Sequence, residues 1–428
     1  MTNLRLRLSL LLLLALQLSI WQWGLSYEHF LTLSGFLAIN FMSITMILAT
    51  RPAYLERILG GLDKMYHLHK WTGILAVIFA LGHWLIEMAD DVLKTLFGKD
   101  RSLRESDFTG LLDDMQDMAE DLGEPSLYLL IALVTITLVR WIPYRFWRYL
   151  HRVMPLIYIA LASHALLLAP MVWWQQATGW LMAVLMMGGI IATVQSLTGQ
   201  IGRTHRWKGL VQSVKQASKN TIEVFCDMGK CWPGHKAGQF ALVSFDSGEG
   251  AHPFTLSSAD QKNGLLSFQI KALGDYTRTL ANDINSGSKV TIEGPYGRFQ
   301  PENGRAKAQQ IWVAGGIGVT PFLAVLENRM YMRKEKYPEV TLHYCTQTVQ
   351  GDPNVLRLKN LAENLPQITL IVYDNRKGQR LNAEQLQIHS KKADIWFCGP
   401  QGLAGALRKA LKNHQASVRF HQERFEFR

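Results

Sequence analysis

The hydrophobic positions divide the chain into two unlike halves. Residues 1–200 contain long apolar runs, and residues 204–428 mix short apolar runs with polar turns. Runs of about 20 apolar residues are long enough to cross a bilayer as helices. We predict six spans, at about 6–25, 29–50, 71–90, 126–142, 151–170 and 178–198. The fourth is short and needs length from its flanks.

The second half begins with strand-length runs separated by turn residues. They are Leu210–Val211, Thr221–Phe225, Ala241–Phe245, Leu266–Ile270 and Val290–Glu293. This pattern predicts a small antiparallel barrel over 203–303. Buried strands then alternate with helical segments, at Ile311–Ala314, Val340–Cys345, Ile368–Val372 and Ala393–Phe397. That rhythm predicts an α/β domain over 304–428.

Lys and Arg orient the predicted membrane domain, 1–202. Basic clusters precede the first span, separate the second from the third and the fourth from the fifth, and follow the sixth. All of them fall on one side, which is cytoplasmic by the positive-inside rule. Both termini and the second half are then cytoplasmic. The net charge of +11 therefore reports topology, and no nucleic-acid recognition motif accompanies it.

Two alternatives bear on this topology. The first span resembles a secretory signal peptide, but no small-x-small cleavage site follows its apolar core, so we predict a retained helix. The four cysteines, Cys226, Cys231, Cys345 and Cys398, all lie in the second half. This distribution fits a reducing compartment without structural disulfides.

The loop at about 91–125 is predicted to lie outside and is acidic. Within it, apolar residues recur at helical spacing from Phe108 to Leu122, and carboxylates fill the opposite face. One interpretation is an amphipathic helix on the membrane surface. The other is a lid over a site on the outer side, or an acidic patch that attracts a cation.

Four histidines lie within the apolar half. His69 and His83 are fourteen positions apart in one span, and His151 and His164 are thirteen apart in another. Imidazole is costly in a membrane without a partner, and haem iron accepts two of them. Fourteen residues rise ~21 Å and return to within ~40° of the same helix face. Two pairs, one near each side of the bilayer, would hold two haems.

The second pair fits a straight helix less well. Thirteen positions leave His151 and His164 ~140° apart. Pro155 removes a backbone donor and perturbs the turn that begins at His151. His67 lies on the opposite face from His83, so His69 is the better ligand.

Two segments of the predicted barrel suggest a flavin. His252-Pro253-Phe254-Thr255-Leu256-Ser257 reads as an extended strand with hydroxyls on one side. Lys271 to Thr277 leads from a strand through Gly274 into a helix, whose free amides suit a pyrophosphate. In the last domain, a buried strand runs into Gly315-Gly316-Ile317-Gly318-Val319-Thr320-Pro321, a turn that lets a phosphate approach the backbone.

The order of these parts resembles the NADPH oxidase / ferric reductase superfamily, and is most similar to its compact bacterial members. The resemblance covers nearly the whole chain. It implies a multidomain membrane protein: an all-α six-helix transmembrane haem domain, an antiparallel β-barrel FAD domain and a ferredoxin-reductase-like α/β nucleotide domain. It also implies a bacterial inner membrane location, with no obligatory protein partner evident.

The resemblance implies a role for each matching residue. His69 and His151 would ligate an inner haem b, and His83 and His164 an outer one. FAD would bind His252, Pro253, Phe254, Thr255, Ser257, Lys271, Gly274 and Thr277. The nucleotide would bind Gly315, Gly316, Gly318, Thr320, Pro321, Cys398, Gly399 and Pro400. Thr255, Cys398 and Phe427 would act in the reaction: Thr255 at the flavin edge, Cys398 near the nicotinamide, and Phe427 covering the flavin and yielding to nicotinamide. Arg140, Arg145, Arg148 and Arg152 are candidates for haem propionates by position alone.

Two choices stay open. NADPH-selective relatives carry an Arg after the second strand, where this chain has Cys345-Thr346-Gln347-Thr348; Arg376 or Arg380 is a possible substitute, and NADH competes with NADPH. The outer acceptor is oxygen, giving superoxide, in the hypothesis we favour. The alternatives are a ferric chelate, or a protein or quinone partner outside.

Overall fold

The apolar first half and the mixed second half fold as separate compact units, Thr2–Gly202 and Arg203–Glu426. The structure is a computed structural model. It describes residues 2–21, 24–99, 110–139, 141–142, 144–245, 250–332, 337–412 and 414–423.

The first unit consists of helices. They are α1 (Thr2–Ser19), α2 (Tyr27–Ala49), α3 (Ala53–Leu59), α4 (Leu62–Met88), α5 (Asp90–Phe97), α6 (Leu111–Asp121), α7 (Gly123–Leu138), α8 (Tyr144–His151), α9 (Met154–Leu167) and α10 (Ala177–Leu197). Within the described residues, five helical stretches are long and apolar enough to cross a membrane: 27–49, 62–88, 111–138, 146–167 and 177–197. The first predicted span has only a shorter apolar helix, Leu8–Ser19. A multi-pass helical unit is therefore confirmed, and the count of six spans stays a prediction.

The fourth span takes its extra length from its N-terminal side. α7 ends at Leu138, before the predicted end at 142, and continues backwards almost directly into α6. The apolar side chains of α6, such as Leu111 and Met118, are exposed on the protein surface, whereas Ala119 is buried. The helix that was predicted within the outer loop is α6, and together with α7 it forms the membrane-length stretch 111–138. Phe108 lies outside the described residues.

The fifth span is broken immediately after His151. α8 ends there, and α9 begins at Met154 with Pro155 in its first turn. Across the break, the amides of Arg152 and Val153 donate to carbonyls three residues back, at 3.2 and 3.0 Å. Because proline has no amide hydrogen, it cannot continue the α-helical ladder from His151. The straight-helix angle between His151 and His164 therefore does not apply.

α2 runs through the core of the helical unit. Phe36 and Phe41 are fully buried on it. The Ser43 hydroxyl lies 2.9 Å from the Tyr158 hydroxyl of α9, which donates to the Met186 carbonyl of α10 at 3.1 Å. An added Cβ at Gly189 would lie 2.0 Å from the Tyr158 oxygen. This glycine lets α9 and α10 approach closely enough for the three helices to share one polar contact.

The second unit begins with an antiparallel sheet. Its strands are β1 (Arg206–Ser218), β2 (Thr221–Asp227), β3 (Phe240–Phe245), β4 (His252–Thr255), β5 (Leu265–Lys271) and β6 (Lys289–Tyr296), and α11 spans Asp275–Asp283. The order is β4-β3-β6-β1-β2-β5. The two edges meet at one bridge, between Leu256 and Phe268. The antiparallel sheet is as predicted, whereas its full closure into a barrel stays a prediction.

A five-stranded parallel sheet follows. It contains β7 (Gln309–Gly315), β8 (Val340–Thr346), β9 (Ile368–Asp374), β10 (Lys392–Cys398) and β11 (Ser417–Gln422), with helices α12 (Thr320–Met332), α13 (Pro353–Glu363) and α14 (Gln401–Leu411). The order is β11-β10-β7-β8-β9. The chain winds outwards from β7 in both directions, so the order reverses between β7 and β10. In such sheets a ligand binds at the carboxyl ends of the strands at that reversal.

Polar contacts join the two sheets. Arg357 of α13 forms ion pairs with Glu223 of β2, at 2.9 Å, and with Glu327 of α12. Gln269 of β5 donates to Asn354 at 3.1 Å. Together they give the ferredoxin-reductase-like arrangement of an antiparallel sheet beside an α/β domain.

Candidate functional site

The helical unit brings the four histidines together in two pairs. The ring centroids of His69 and His151 are 6.2 Å apart, with the ring planes at 73°. Those of His83 and His164 are 6.4 Å apart at 89°. Each pair joins α4 to the α8–α9 segment.

These separations fit a metal ion between two imidazoles. An imidazole nitrogen binds a transition metal at ~2.0 Å, and a five-membered ring with bonds of ~1.3–1.4 Å has a radius of ~1.2 Å. One metal–nitrogen distance plus one ring radius on each side of the ion places the ring centroids about 6.4 Å apart. Among the described residues, no group of three or more His, Cys, Asp or Glu side chains is arranged for a metal. Two protein ligands per site suit haem, whose porphyrin supplies the other four.

Backbone carbonyls orient three of the four rings. His69 Nδ1 lies 2.9 Å from the Thr45 carbonyl, and His83 Nδ1 lies 2.9 Å from that of Leu31, both on α2. His164 Nδ1 lies 2.9 Å from the Ala119 carbonyl of α6. A carbonyl only accepts, so Nδ1 carries the hydrogen and Nε2 keeps its lone pair for a metal.

His151 is the exception. Its Nδ1 is buried and has no hydrogen-bond partner within the described residues. Its ring stacks on Trp147 instead, at 5.3 Å and 27°. The position of His151 is therefore held by ring packing at the end of α8, where the helix breaks.

Two glycines make room for the outer pair. A Cβ added at Gly35 would lie 3.1 Å from the His83 ring, and one added at Gly123 would lie 2.8 Å from the His164 ring. Both distances are shorter than ordinary contacts. The glycines let α2 and α7 approach the imidazoles, and the sequence analysis did not identify either of them.

A cavity of about 910 Å³ opens beside His83 and His164. This volume lies in the range of cofactor sites, ~300–1,000 Å³. Its charged lining consists of five carboxylates and two amines: Glu28, Glu87, Glu120, Asp121, Glu124, Lys94 and Lys99. Lys94 pairs with Asp90 at 2.5 Å, outside that set. The lining of the cavity is therefore predominantly acidic.

In the second unit, the two predicted flavin segments adjoin. The His252 ring of β4 stacks on the Tyr276 ring of α11, with centroids 4.1 Å apart. Thr255 of the edge strand β4 pairs with Phe240 of β3. Ser257 is fully buried, and its hydroxyl lies 2.8 Å from that of Ser267. That contact helps join the two edges of the sheet.

The start of α11 presents backbone amides. Gly274 is its N-cap, and the Thr277 hydroxyl accepts from the amides of Leu273 and Gly274, at 2.9 and 3.0 Å. A Cβ at Gly274 would meet nothing within 4 Å. Thr277 thus shapes the turn, which leaves the first-turn amides for an anionic group. Lys271, at the end of β5, is half-buried.

The two nucleotide motifs meet at the carboxyl ends of β7 and β10. A Cβ at Gly318 would lie 2.3 Å from the Cys398 carbonyl, and one at Gly315 would lie 2.6 Å from the Pro400 ring. Gly316 has a φ of +55°, in the left-handed region that favours glycine. Thr320 and Pro321 begin α12, and the Thr320 hydroxyl donates to the Ile317 carbonyl. Both loops therefore form one surface at the reversal of strand order.

Cys398 is buried beneath this surface. Burial and the nearby carboxylate of Glu423 raise the pKa of its thiol, so it is protonated at neutral pH. Glu423 follows β11 and also approaches Gly297 of the antiparallel sheet. Glu423 thus lies where the two sheets meet. Phe427, Arg140 and the Arg145 side chain lie outside the described residues.

Two families match the chain. A ferric reductase like transmembrane component matches residues 34–162, which include His69, His83 and His151, whereas His164 lies two residues beyond the matched range. An FAD-binding domain matches residues 206–300, which contain the His252–Thr255 strand and the Gly274 turn. These matches support the resemblance of the chain to the NADPH oxidase / ferric reductase superfamily.

Curated relatives span the same group. "Probable ferric reduction oxidase 1" of Arabidopsis thaliana is 34% identical over 118 residues, covering 25% of this chain and 16% of the relative. "NADPH oxidase 1" of Mus musculus is 29% identical over 130 residues, covering 29% and 21%. An "NADPH oxidoreductase" of Mycobacterium tuberculosis is 24% identical over 233 residues, covering 51% and 60%. The chain thus spans between 16% and 60% of the length of these curated relatives.

Proposed function

We propose that the chain is a transmembrane oxidoreductase that carries electrons from NAD(P)H through FAD and two bis-histidine b haems to an acceptor on the outer side. The observation that carries this proposal is the two pairs of facing imidazoles, with ring centroids 6.2 and 6.4 Å apart, in one chain with two adjoining flavin segments. The transmembrane and FAD-binding families support the same combination.

The helices of the first unit hold the haem ligands. His69 and His151 form the inner site, and His83 and His164 the outer one. Carbonyls of α2 and α6 keep Nε2 of three of these rings free of hydrogen. His83 and His164 would hold the outer haem from both sides and leave no open position for an acceptor, which would therefore receive its electron at the edge of the outer site.

The second unit supplies the electrons. The His252–Thr255 strand and the α11 N-terminus bind FAD, while the loops at Gly315–Pro321 and Cys398–Pro400 bind the nucleotide. When bound, the flavin takes two electrons as hydride and releases them singly. Cys398, protonated and buried, packs behind the nicotinamide position as a neutral group, and Phe427 is proposed to cover the flavin.

The basic clusters support a cytoplasmic location for this unit and both termini, and the resemblance to compact bacterial members supports a location in the inner membrane. Electrons then leave the cytoplasm, and the acidic cavity beside His83 and His164 faces outwards.

Oxygen is the acceptor we propose, with superoxide as product. Oxygen needs no binding site, and the carboxylates around the cavity repel an anionic product. The same carboxylates favour a second candidate, a cationic ferric complex, which they attract. The plant relatives named as ferric reduction oxidases belong to the same group.

One assay separates the two acceptors. NAD(P)H oxidation by the purified protein is followed with oxygen, with oxygen plus superoxide dismutase, and with a ferric chelate under nitrogen. Oxygen-dependent superoxide supports the oxidase. Rapid iron reduction without oxygen supports the reductase. The absence of both activities would contradict the proposal.

Variants test the ligands. The protein should contain about two low-spin b haems per chain. His83→Ala and His164→Ala should each lose the outer haem, and His69→Ala and His151→Ala the inner one. His67→Ala, on the same helix, is the control and should keep both. Retention of two haems in all four ligand variants would exclude the assignment.

A further inference from the structure

The carboxyl ends of β8 and β9 form one corner of the nucleotide-binding edge. Thr346 pairs with Asp374 in the parallel register, so both strands end level. The Arg376 amide donates to the Gln347 carbonyl at 3.0 Å, and the Val349 amide donates to the Asp374 carboxylate at 3.1 Å. The loop at 374–380 therefore lies directly against the end of β8.

This corner is where a dinucleotide presents its adenosine ribose. In doubly wound sheets, the end of the second strand meets the ribose: an acidic side chain there binds a 2′-hydroxyl, and an arginine accommodates a 2′-phosphate. β8 is the second strand of this sheet in chain order. It ends in Thr346, Gln347 and Thr348, none of which carries a charge.

The two carboxylates near the corner are committed to the fold. Asp374 is buried and accepts hydrogen bonds from the amides of Val349 and Arg376. Asp352 accepts from the hydroxyls of Tyr344 and Thr346, at 2.7 and 2.6 Å, and caps α13 through the Asn354 amide. Neither carboxylate is placed to select a ribose hydroxyl.

The exposed charges at the corner are positive. Arg376, Lys377 and Arg380 all lie on the surface of the loop. Within the described part of the chain, no hydrogen bond or ion pair holds the guanidinium of Arg376 or Arg380. An arginine fork binds phosphate through two parallel hydrogen bonds.

We propose that the 374–380 loop, through Arg376 and Arg380, recognises the 2′-phosphate, and that NADPH is the reductant. The arginine that the superfamily resemblance leads us to expect after the second strand is replaced by arginines after the third. This inference rests on the proposed function, because it assigns the nucleotide of the same site.

The test measures binding of NADP⁺ and NAD⁺ to the FAD-loaded full-length protein in detergent, together with kcat/KM for NADPH and NADH. The wild type should prefer NADP⁺. In Arg376→Ser/Arg380→Ser, the ratio of the two Kd values should shift towards NAD⁺ by about 10- to 100-fold, as expected for lost hydrogen bonds to a charged group. The wild-type preference should also weaken as salt rises.

Lys219→Ser provides the control. Lys219 is an exposed cation in the turn between β1 and β2, and its loss should leave the ratio unchanged. Equal binding of both nucleotides by the wild type, or an unchanged ratio in the double variant, would overturn this inference alone. If the wild type binds neither nucleotide, the proposed function fails with it.

Discussion

Replacing Gly123 with alanine tests whether His164 is a haem ligand. The new Cβ would lie 2.8 Å from Cε1 and Nδ1 of the His164 ring, whereas ordinary contacts begin at 3.4 Å. The ring or α7 must therefore move by about 0.6 Å in a closely packed region. Overpacking of this kind costs about 1–3 kcal/mol. If that cost falls on the ligated state, outer haem affinity drops by about 5- to 150-fold.

The variant is best compared with two other glycines near the same site. Gly35→Ala approaches His83 at 3.1 Å, and Gly82→Ala, beside His83 on α4, meets nothing within 4 Å. Alanine stabilises a helix by up to about 1 kcal/mol relative to glycine, so none of the three substitutions should destabilise its helix in general. The haem content per chain, the low-spin spectrum and a redox titration should show that Gly123→Ala loses the most outer haem, Gly35→Ala less, and Gly82→Ala the least.

The expected pattern is specific to the outer site. The inner haem, held by His69 and His151, should keep its spectrum and potential in all three variants. Two native haems in Gly123→Ala would refute the ligand assignment for His164. If Gly82→Ala lost as much outer haem as Gly123→Ala, the effect would not be steric.

Two further predictions concern the second unit. Burial raises the pKa of three thiols, those of Cys226, Cys345 and Cys398. Iodoacetamide should therefore label only the exposed Cys231 in the native protein and all four cysteines after unfolding. Rapid labelling of a second cysteine in the native protein would contradict this prediction. Burial also lowers the pKa of His343 from 6.5 to about 4. The unfolded chain then takes up the proton first, so stability should fall by up to about 3 kcal/mol as pH drops from about 6.5 to 4. His343→Phe, which keeps a ring against Tyr373, should lose that part of the pH dependence of urea unfolding; an unchanged pH profile would show that His343 does not titrate with folding.

The sequence predicted most of the parallel sheet because four of its strands are short and apolar, and three of these, β7, β8 and β10, are almost entirely buried. Each predicted strand from Ile311–Ala314 to Ala393–Phe397 lies within an observed strand. The Gly turn after β7 was also recognisable, since close backbone approaches leave only glycine possible. The membrane unit was predicted less completely, because hydropathy reports length and does not show where α7 joins α6.

The break after His151 shows what spacing alone leaves open. Sequence periodicity assumes one straight helix, whereas Pro155 interrupts the α-helical ladder at His151, four residues earlier. The outer-site glycines could not be predicted for a different reason. A glycine in an apolar helix has many causes, and only the positions of His83 and His164 show that Gly35 and Gly123 lie against imidazoles.

The carbonyl partners of the α4 histidines explain how the spacing of the two sites is maintained. His69 and His83 are fourteen residues apart, and their partners, Thr45 and Leu31, are also fourteen apart in the opposite direction. α2 and α4 therefore act as an antiparallel pair with one register over ~21 Å. One residue inserted between Leu31 and Thr45 would move one carbonyl by ~1.5 Å and ~100° relative to the other. Only one histidine could then keep its bond, so the ligand spacing on α4 depends on the length of α2.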